Sequence, residues 1–225
     1  MTAGSSRWPR SAILLLIAGV AARIVWLSSD AYLHLDWSAG LLTDEGFYIH
    51  NARNWVLFGM ARTDEFNNML LAPVLHVLQC LVFMTLGVGA IQARLISVVL
   101  GLLGAASLYG GLRRIADERI AITALVFALF DHPALLFGRM ALMDTPAAFC
   151  ICWAFYSYCR AVTSGVEDAK SRRNWLALSG FALSLGITNR MLCIYLLPVF
   201  VFAVYRMCAD KQARDQRSPV QVRQE

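Results

Sequence analysis

Charged side chains are scarce in this sequence, and their scarcity excludes a water-soluble globular domain. Asp, Glu, Lys and Arg supply 16% of the 225 residues against 58% hydrophobic, and the mean hydropathy is +0.56. A chain of that composition is dissolved mostly in lipid. No pairing pattern and no Cys/His metal spacing organises the six cysteines, which lie mainly inside apolar segments. They read as small apolar side chains. No internal repeat or low-complexity run stands out. An inverted repeat and a chain of charges across the apolar segments are also missing, which argues against a transporter. The formal net charge is +5 and the pI near 9.0, but most Lys and Arg stand in short clusters between apolar runs, where they set membrane topology. Nucleic acid is therefore not an expected partner.

What is present is a series of long apolar segments. The first covers residues 11–28 behind Arg7 and Arg10, and others follow at 69–87, 91–112, 120–137, 145–162, 174–188 and 191–207. Small residues at 18–21 resemble a cleavage site, but the apolar run continues through Ile24-Val25-Trp26-Leu27, which favours an uncleaved anchor. Segment 69–87 decides the sidedness of everything after it. If it lies in the outer interface, the clusters Arg113-Arg114-Arg119, Arg160 and Lys170-Arg172-Arg173, and the basic tail, fall inside with Arg7 and Arg10; if it spans, they all move outward against the positive-inside bias. The expected fold class is thus an all-α polytopic membrane helix bundle of about six transmembrane helices, with juxtamembrane helices in the first external loop. Residues 1–207 form the transmembrane module, with an external loop over 29–90 and a basic cytoplasmic tail over 208–225. The interfacial helix has Pro73 near its start, with His76 and Gln79 on its wet face.

This topology places three polar groups on one membrane face: Asp44-Glu45 after the first span, Arg139 with Asp144 between spans three and four, and Thr188-Asn189-Arg190 between spans five and six. Carboxylates beside a bilayer are costly, so such a gathering reads as a reaction centre. Plainer readings exist for each. Asp44 and Glu45 open a helix over 44–59, where acidic side chains favour the dipole. Asp144 before Thr145-Pro146 reads as an N-cap. Arg23 and Arg94 read as snorkelling side chains without a role. His34 and Asp36 read as solvated loop residues.

The motifs together resemble the GT-C superfamily of membrane glycosyltransferases, in particular bacterial relatives of the protein O-mannosyltransferases and aminoarabinose transferases. Asp44-Glu45-Gly46-Phe47-Tyr48 is similar to the Asp-Glu-x-x-Tyr of the first external loop, Ala93-Arg94-Leu95-Ile96-Ser97 opens the next span in the same manner, Arg139 through Asp144-Thr145-Pro146 resembles the second acidic loop, and Gly186-Ile187-Thr188 the Thr-Lys turn. The similarity runs from about Arg7 to Pro198. Two departures are visible: the Lys-Pro pair that commonly enters the interfacial helix is Ala72-Pro73 here, with Arg62 as a substitute cation, and the turn cation moves one residue along to Arg190.

The resemblance implies transfer of a sugar from a polyprenyl-phosphate carrier to an acceptor hydroxyl on the external or periplasmic face, with inversion at the sugar carbon. Asp44 is the expected general base. Glu45 and Asp144 are expected to orient the acceptor, hold a divalent metal ion or position the cations, the choice being open. Tyr48, Arg62, Arg139 and Arg190 are the expected substrate-binding residues, with Arg139 or Arg190 on the leaving phosphate. Membrane lipid and a second membrane subunit are the further partners, since full enzymes of this class continue through more spans. The alternative is a non-catalytic membrane protein that binds a polyprenyl-phosphate lipid or a partner subunit. The expected location is a bacterial inner membrane, or otherwise the endoplasmic reticulum. Sugar, acceptor, metal requirement and oligomeric state are not legible in the sequence.

Overall fold

The computed structural model describes residues 8–25, 27–28, 39–61, 70–164 and 168–221, and among them there is helix and no strand. In chain order the helices are α1 (Arg10–Ile24), α2 (Ala39–Phe58), α3 (Pro73–Leu86), α4 (Ala90–Ile115), α5 (Glu118–Phe130), α6 (His132–Phe137), α7 (Asp144–Thr163), α8 (Ala169–Asn189) and, after a 3-10 turn at Met191–Leu196, α9 (Leu197–Gln221). Local chemistry sets several boundaries. Pro73 occupies the first turn of α3, where its missing amide hydrogen costs nothing. Gly59 and Gly87 end α2 and α3 at φ +70° and +86°, a region that side-chain-bearing residues avoid. The expected continuous segment over 120–137 is instead two helices: the break falls at Asp131, and Pro133, unable to extend α5, is accommodated in the first turn of α6.

The chain divides into two compact units, Met1–Met191 and Leu192–Glu225. The second is built on α9, whose apolar residues Val199, Val201, Phe202 and Tyr205 are exposed.

Within the first unit α4 and α7 run side by side in the same direction. A Cβ added to Gly104 would stand 3.3 Å from the Phe149 backbone, and one added to Gly111 3.3 Å from that of Tyr156. Small residues allow this close approach, which matters in lipid, where van der Waals contact rather than hydrophobicity drives helix association. Helix α8 returns antiparallel along α7, with Ser179 Oγ donating to the Ala154 carbonyl at 2.8 Å. Helix α1 runs parallel to α5, from Trp8 against Tyr109 to Arg23 on the Leu129 carbonyl at 3.1 Å.

These directions give the unit two unlike ends. One gathers Arg113 on Glu118 at 2.7 Å, the Tyr109 hydroxyl on the same Glu118, and Arg160 over the Trp175 ring at 4.5 Å. The other gathers the termini that carry Glu45, Leu75, Arg94, Ala141, Asp144 and Arg190.

The expected count of six spans is not reproduced. Among the described residues two helical segments are both long and apolar enough to cross a membrane, Ala90–Ile115 and Met191–Ala209. Helix α1 has 15 residues and α5 has 13, about 22 and 20 Å at 1.5 Å per residue, short of a hydrocarbon core of about 30 Å. Helix α3 is apolar with 14 residues, shorter than a span.

Candidate functional site

Helix α2 starts at Ala39, not at Asp44, because the helix-favouring Leu41 and Leu42 carry it back past the acidic doublet. The helix-start reading of Asp44 and Glu45 is therefore corrected: both sit more than a turn inside. Neighbours on a helix diverge by about 100°, and here that divergence sends Asp44 outward, exposed, and Glu45 inward, 5% exposed.

Glu45 meets Arg94, in the second turn of α4, in a two-pronged ion pair, Nε to Oε1 at 2.7 Å and Nη2 to Oε2 at 2.6 Å. Oε1 also accepts the Ala141 amide at 2.9 Å, and Arg94 Nη1 donates to the Leu27 carbonyl at 2.8 Å. One carboxylate and one guanidinium thus tie together α2, α4, the end of α1 and the strand of chain before α7. The snorkelling reading of Arg94 is overturned: it is 4% exposed, and its fork geometry matches a carboxylate rather than a water interface. Glu45, with both oxygens engaged, positions Arg94 and is not the open carboxylate that a base requires.

Asp144 is the first residue of α7 and caps nothing; Met143 holds the N-cap position without a side-chain bond. Its carboxylate faces Arg190, Nε to Oδ1 at 3.1 Å and Nη1 to Oδ2 at 3.4 Å. Arg190 is delivered by Asn189, the fully buried last residue of α8. The Asn189 Oδ1 accepts the Leu75 amide at 3.0 Å, and its Nδ2 donates to the Met143 carbonyl at 2.8 Å. Leu75 lies in the first turn of α3, where amides have no partner within the helix, so Asn189 caps α3 from a distance and locks α3, α7 and α8 into one corner.

Tyr48, one turn after Asp44 on the same face of α2, joins these groups. Burial pushes its hydroxyl pKa up, Asp44 and Asp144 add to the rise, and Arg190 opposes it. Asp44, Asp144 and Arg190 are accordingly all within electrostatic reach of Tyr48. Arg139 Nη2 donates to the Val25 carbonyl at 2.8 Å. Arg62, His34 and Asp36 lie outside the described residues.

Two further readings change. Arg23 does not snorkel; it is 1% exposed and bonds to carbonyls of α1, α5 and α6. His76 and Gln79 face away from water, at 2% and 0% exposure. The His76 Nδ1 lies 2.8 Å from the Ala72 carbonyl, leaving Nε2 and both Gln79 amide atoms unpaired. Burial, with His50 nearby, holds the His76 pKa below the usual histidine value against the opposing Ala72 bond. Helix α3 turns this polar face onto α2, and the surrounding apolar contacts, Phe83 with Ala52 and Ala93, exclude the wet face expected of it.

The donor set does not suit a divalent cation. Among the described residues no group of three or more His, Cys, Asp and Glu converges, and two of the three acids here are already matched by arginines.

Comparison with known protein families matches residues 71–218 to the dolichyl-phosphate-mannose-protein mannosyltransferases. The chain belongs to that family. The match covers well over half of the sequence and contains Arg139, Asp144 and Arg190, while the acidic doublet of α2 precedes it. No curated protein and no solved structure matches the chain. Family membership makes this a membrane-type glycosyltransferase and implies a lipid-linked sugar donor.

Of the residues the sequence singled out, the structure brings together Asp44, Tyr48, Asp144 and Arg190 and commits Glu45 to Arg94. Asn189 was missed as a connector, although a buried amide at a helix end is the one side chain able to donate and accept across two helices at once.

Proposed function

We propose that the chain transfers a sugar from a polyprenyl-phosphate carrier to an acceptor hydroxyl, with Asp44 as general base. The observation that carries this reading is the convergence of Asp44, Tyr48, Asp144 and Arg190 at one end of the first unit. Asp44 is the exposed carboxylate of the group. An acceptor hydroxyl loses its proton to Asp44 as its oxygen bonds to the anomeric carbon. The bond from that carbon to the phosphate oxygen breaks on the opposite side, its electron pair leaving with the lipid phosphate, and the sugar carbon inverts. Arg190 is the cation placed to meet the charge that develops on the phosphate, and Asp144 holds it there. Tyr48 lines the space between the two carboxylates.

Sidedness follows from the opposite end of the bundle, where Arg113, Arg114 and Arg160 stand with the start of α8 and its Lys170, Arg172 and Arg173. The positive-inside bias puts that end in the cytoplasm and the site on the external face, periplasmic in a bacterial inner membrane or lumenal in the endoplasmic reticulum. The six-span arrangement is the topology consistent with this placement, the short α1 and α5 crossing only as members of the bundle.

The test is transfer from a polyprenyl-phosphate-linked sugar in membranes carrying the full chain. Asp44→Asn is expected to lower the rate by about 10²- to 10⁴-fold, the usual worth of a general base. Undiminished transfer by that variant rejects Asp44 as the base, and no transfer by the wild type favours the alternative, a scaffold that binds the carrier or a partner without chemistry.

A further inference from the structure

At the end of the bundle opposite Asp44, the last turns of α4 and α7 each supply an arginine that the proposed chemistry does not use, Arg114 and Arg160. The negative dipole ends of the two helices favour cations there but do not fix where the cations point. A pair of aromatic rings does. Gly110 of α4 lets the Tyr156 ring of α7 come up against α4, since a Cβ there would stand 3.2 Å from the ring. Trp175, in the second turn of α8, meets Tyr156 edge-on, with centroids 6.2 Å apart and planes at 86°. Three helices thus build one aromatic platform, and both arginines lie on it. Arg160 Cζ stands 4.5 Å from the Trp175 centroid while its Nη1 donates to the Tyr156 hydroxyl at 3.4 Å, and Arg114 Cζ stands 5.9 Å from the Tyr156 centroid.

Attraction to a ring face holds a guanidinium through its centre and leaves the N–H groups at its edges for other acceptors. Few of these are used here. The one further bond runs from Arg114 Nη1 to Thr163 Oγ1 at 3.5 Å, the limit of such contacts. Among the described residues no carboxylate pairs with either arginine: Glu118 is taken by Arg113 and Tyr109, and Asp168 accepts the Ser171 amide at the start of α8. Two positive charges that share one ring repel each other, and an anion bound between them turns that repulsion into attraction on both sides. The planar forks match the paired oxygens of a phosphate. The surroundings decide its source. Ile115 beside Arg114 and Val162 beside Thr163 are apolar and each 43% exposed. A phosphate flanked by exposed apolar side chains and by aromatic rings at helix ends is set as a lipid headgroup is, not as a soluble anion is.

We propose that Arg114 and Arg160 bind the phosphodiester headgroup of an anionic phospholipid in the leaflet at this end of the bundle, with Tyr156 and Trp175 as the platform that orients both guanidiniums. The inference does not need Asp44 to act as a base, and its test reads lipid retention and not sugar transfer, so the failure of either reading shows separately. The full chain, purified in a detergent with an uncharged head, is loaded with phosphatidylglycerol or phosphatidylcholine, and the lipid carried through gel filtration is counted per chain. Phosphatidylglycerol should be retained about fivefold or more over phosphatidylcholine, whose choline already compensates its phosphate. Arg114→Gln/Arg160→Gln should lower phosphatidylglycerol retention about tenfold. Arg119→Gln/Arg173→Gln removes two exposed charges at the same end, which buffer salt screens from the pair, and should change retention less than about twofold. Arg114→Gln alone, at an exposed position, should lose about threefold and keeps the test decisive if the double variant does not fold. Equal retention of the two lipids overturns the proposal. So does an equal loss in the two double variants, which would reduce the effect to diffuse charge. Displacement of phosphatidylglycerol by millimolar inorganic phosphate would assign the pair to a soluble anion and overturn it as well.

Discussion

Glu45 with Arg94 and Asp144 with Arg190 are the same chemical pair set in two environments at one end of the bundle. The first is dry, its side chains 6% and 5% exposed, with bonds of 2.6 and 2.7 Å and backbone groups filling the remaining positions. The second is open, at 41% and 29%, with bonds of 3.1 and 3.4 Å. Burial makes a pair expensive to break and useless for exchange with a substrate; openness does the reverse. The dry pair holds the frame and the wet pair is available for chemistry.

The largest effect should come from breaking the dry pair. Glu45→Ala leaves the Arg94 guanidinium buried opposite an apolar side chain, and thermal unfolding of the purified protein should show a loss of about 3–5 kcal/mol. The double variant Glu45→Met/Arg94→Met should lose less than Glu45→Ala alone, since replacing both partners removes the stranded charge. If the double variant is the worse of the two, the pair contributes more than its desolvation costs and the comparison needs redrawing.

Next in size is the amide that joins three helices. Asn189→Ala should cost about 1–3 kcal/mol, because the Leu75 amide is left without its acceptor in a buried corner. Asn189→Asp keeps the acceptor for Leu75 but sets a carboxylate oxygen against the Met143 carbonyl in a fully buried position, so at neutral pH it should be no more stable than Asn189→Ala in the same unfolding measurement.

A smaller, pH-dependent effect belongs to α3. The His76 pKa is lowered in the folded protein by burial, so the unfolded chain binds a proton first as the pH falls. Stability from this group is complete above the ordinary histidine value of about 6.5. It declines below that value and levels off once the folded protein also protonates His76. Unfolding midpoints measured between pH 7.5 and 5 should fall in the wild type and fall less in His76→Leu. Equal slopes would mean that another group controls acid sensitivity.

The sequence carried the helical class and most helix positions, because hydrophobic runs are local signals. It also singled out Asp44, Tyr48, Asp144 and Arg190, which the structure gathers at one end of the first unit. What it did not carry was partnership. Arg94 and Arg23 look alike in the sequence, each a lone cation in an apolar run, and whether such a cation snorkels or is buried depends on what a distant helix presents to it. Glu45 lies 49 residues from Arg94 and Leu129 lies 106 from Arg23. The wet face assigned to His76 and Gln79 failed for the same reason, since α2 packs onto that side. Helix length does not reproduce the six spans, since α1 and α5 stop early, at Val25 and at the turn before Pro133, and apolar composition alone does not mark where a helix ends.

The smallest effect is the one that separates the two pairs most sharply. Asp144→Asn removes a charge from an exposed pair, and such pairs contribute about 0–1 kcal/mol. Its unfolding midpoint should therefore stay near wild type. Sugar transfer should still fall, because Arg190 loses the carboxylate that fixes its direction toward the leaving phosphate. Rate and stability are thus expected to move together for Glu45→Ala and apart for Asp144→Asn. A stability loss in Asp144→Asn as large as that in Glu45→Ala would place both pairs in the frame, and the charge at the start of α7 would then owe nothing to catalysis.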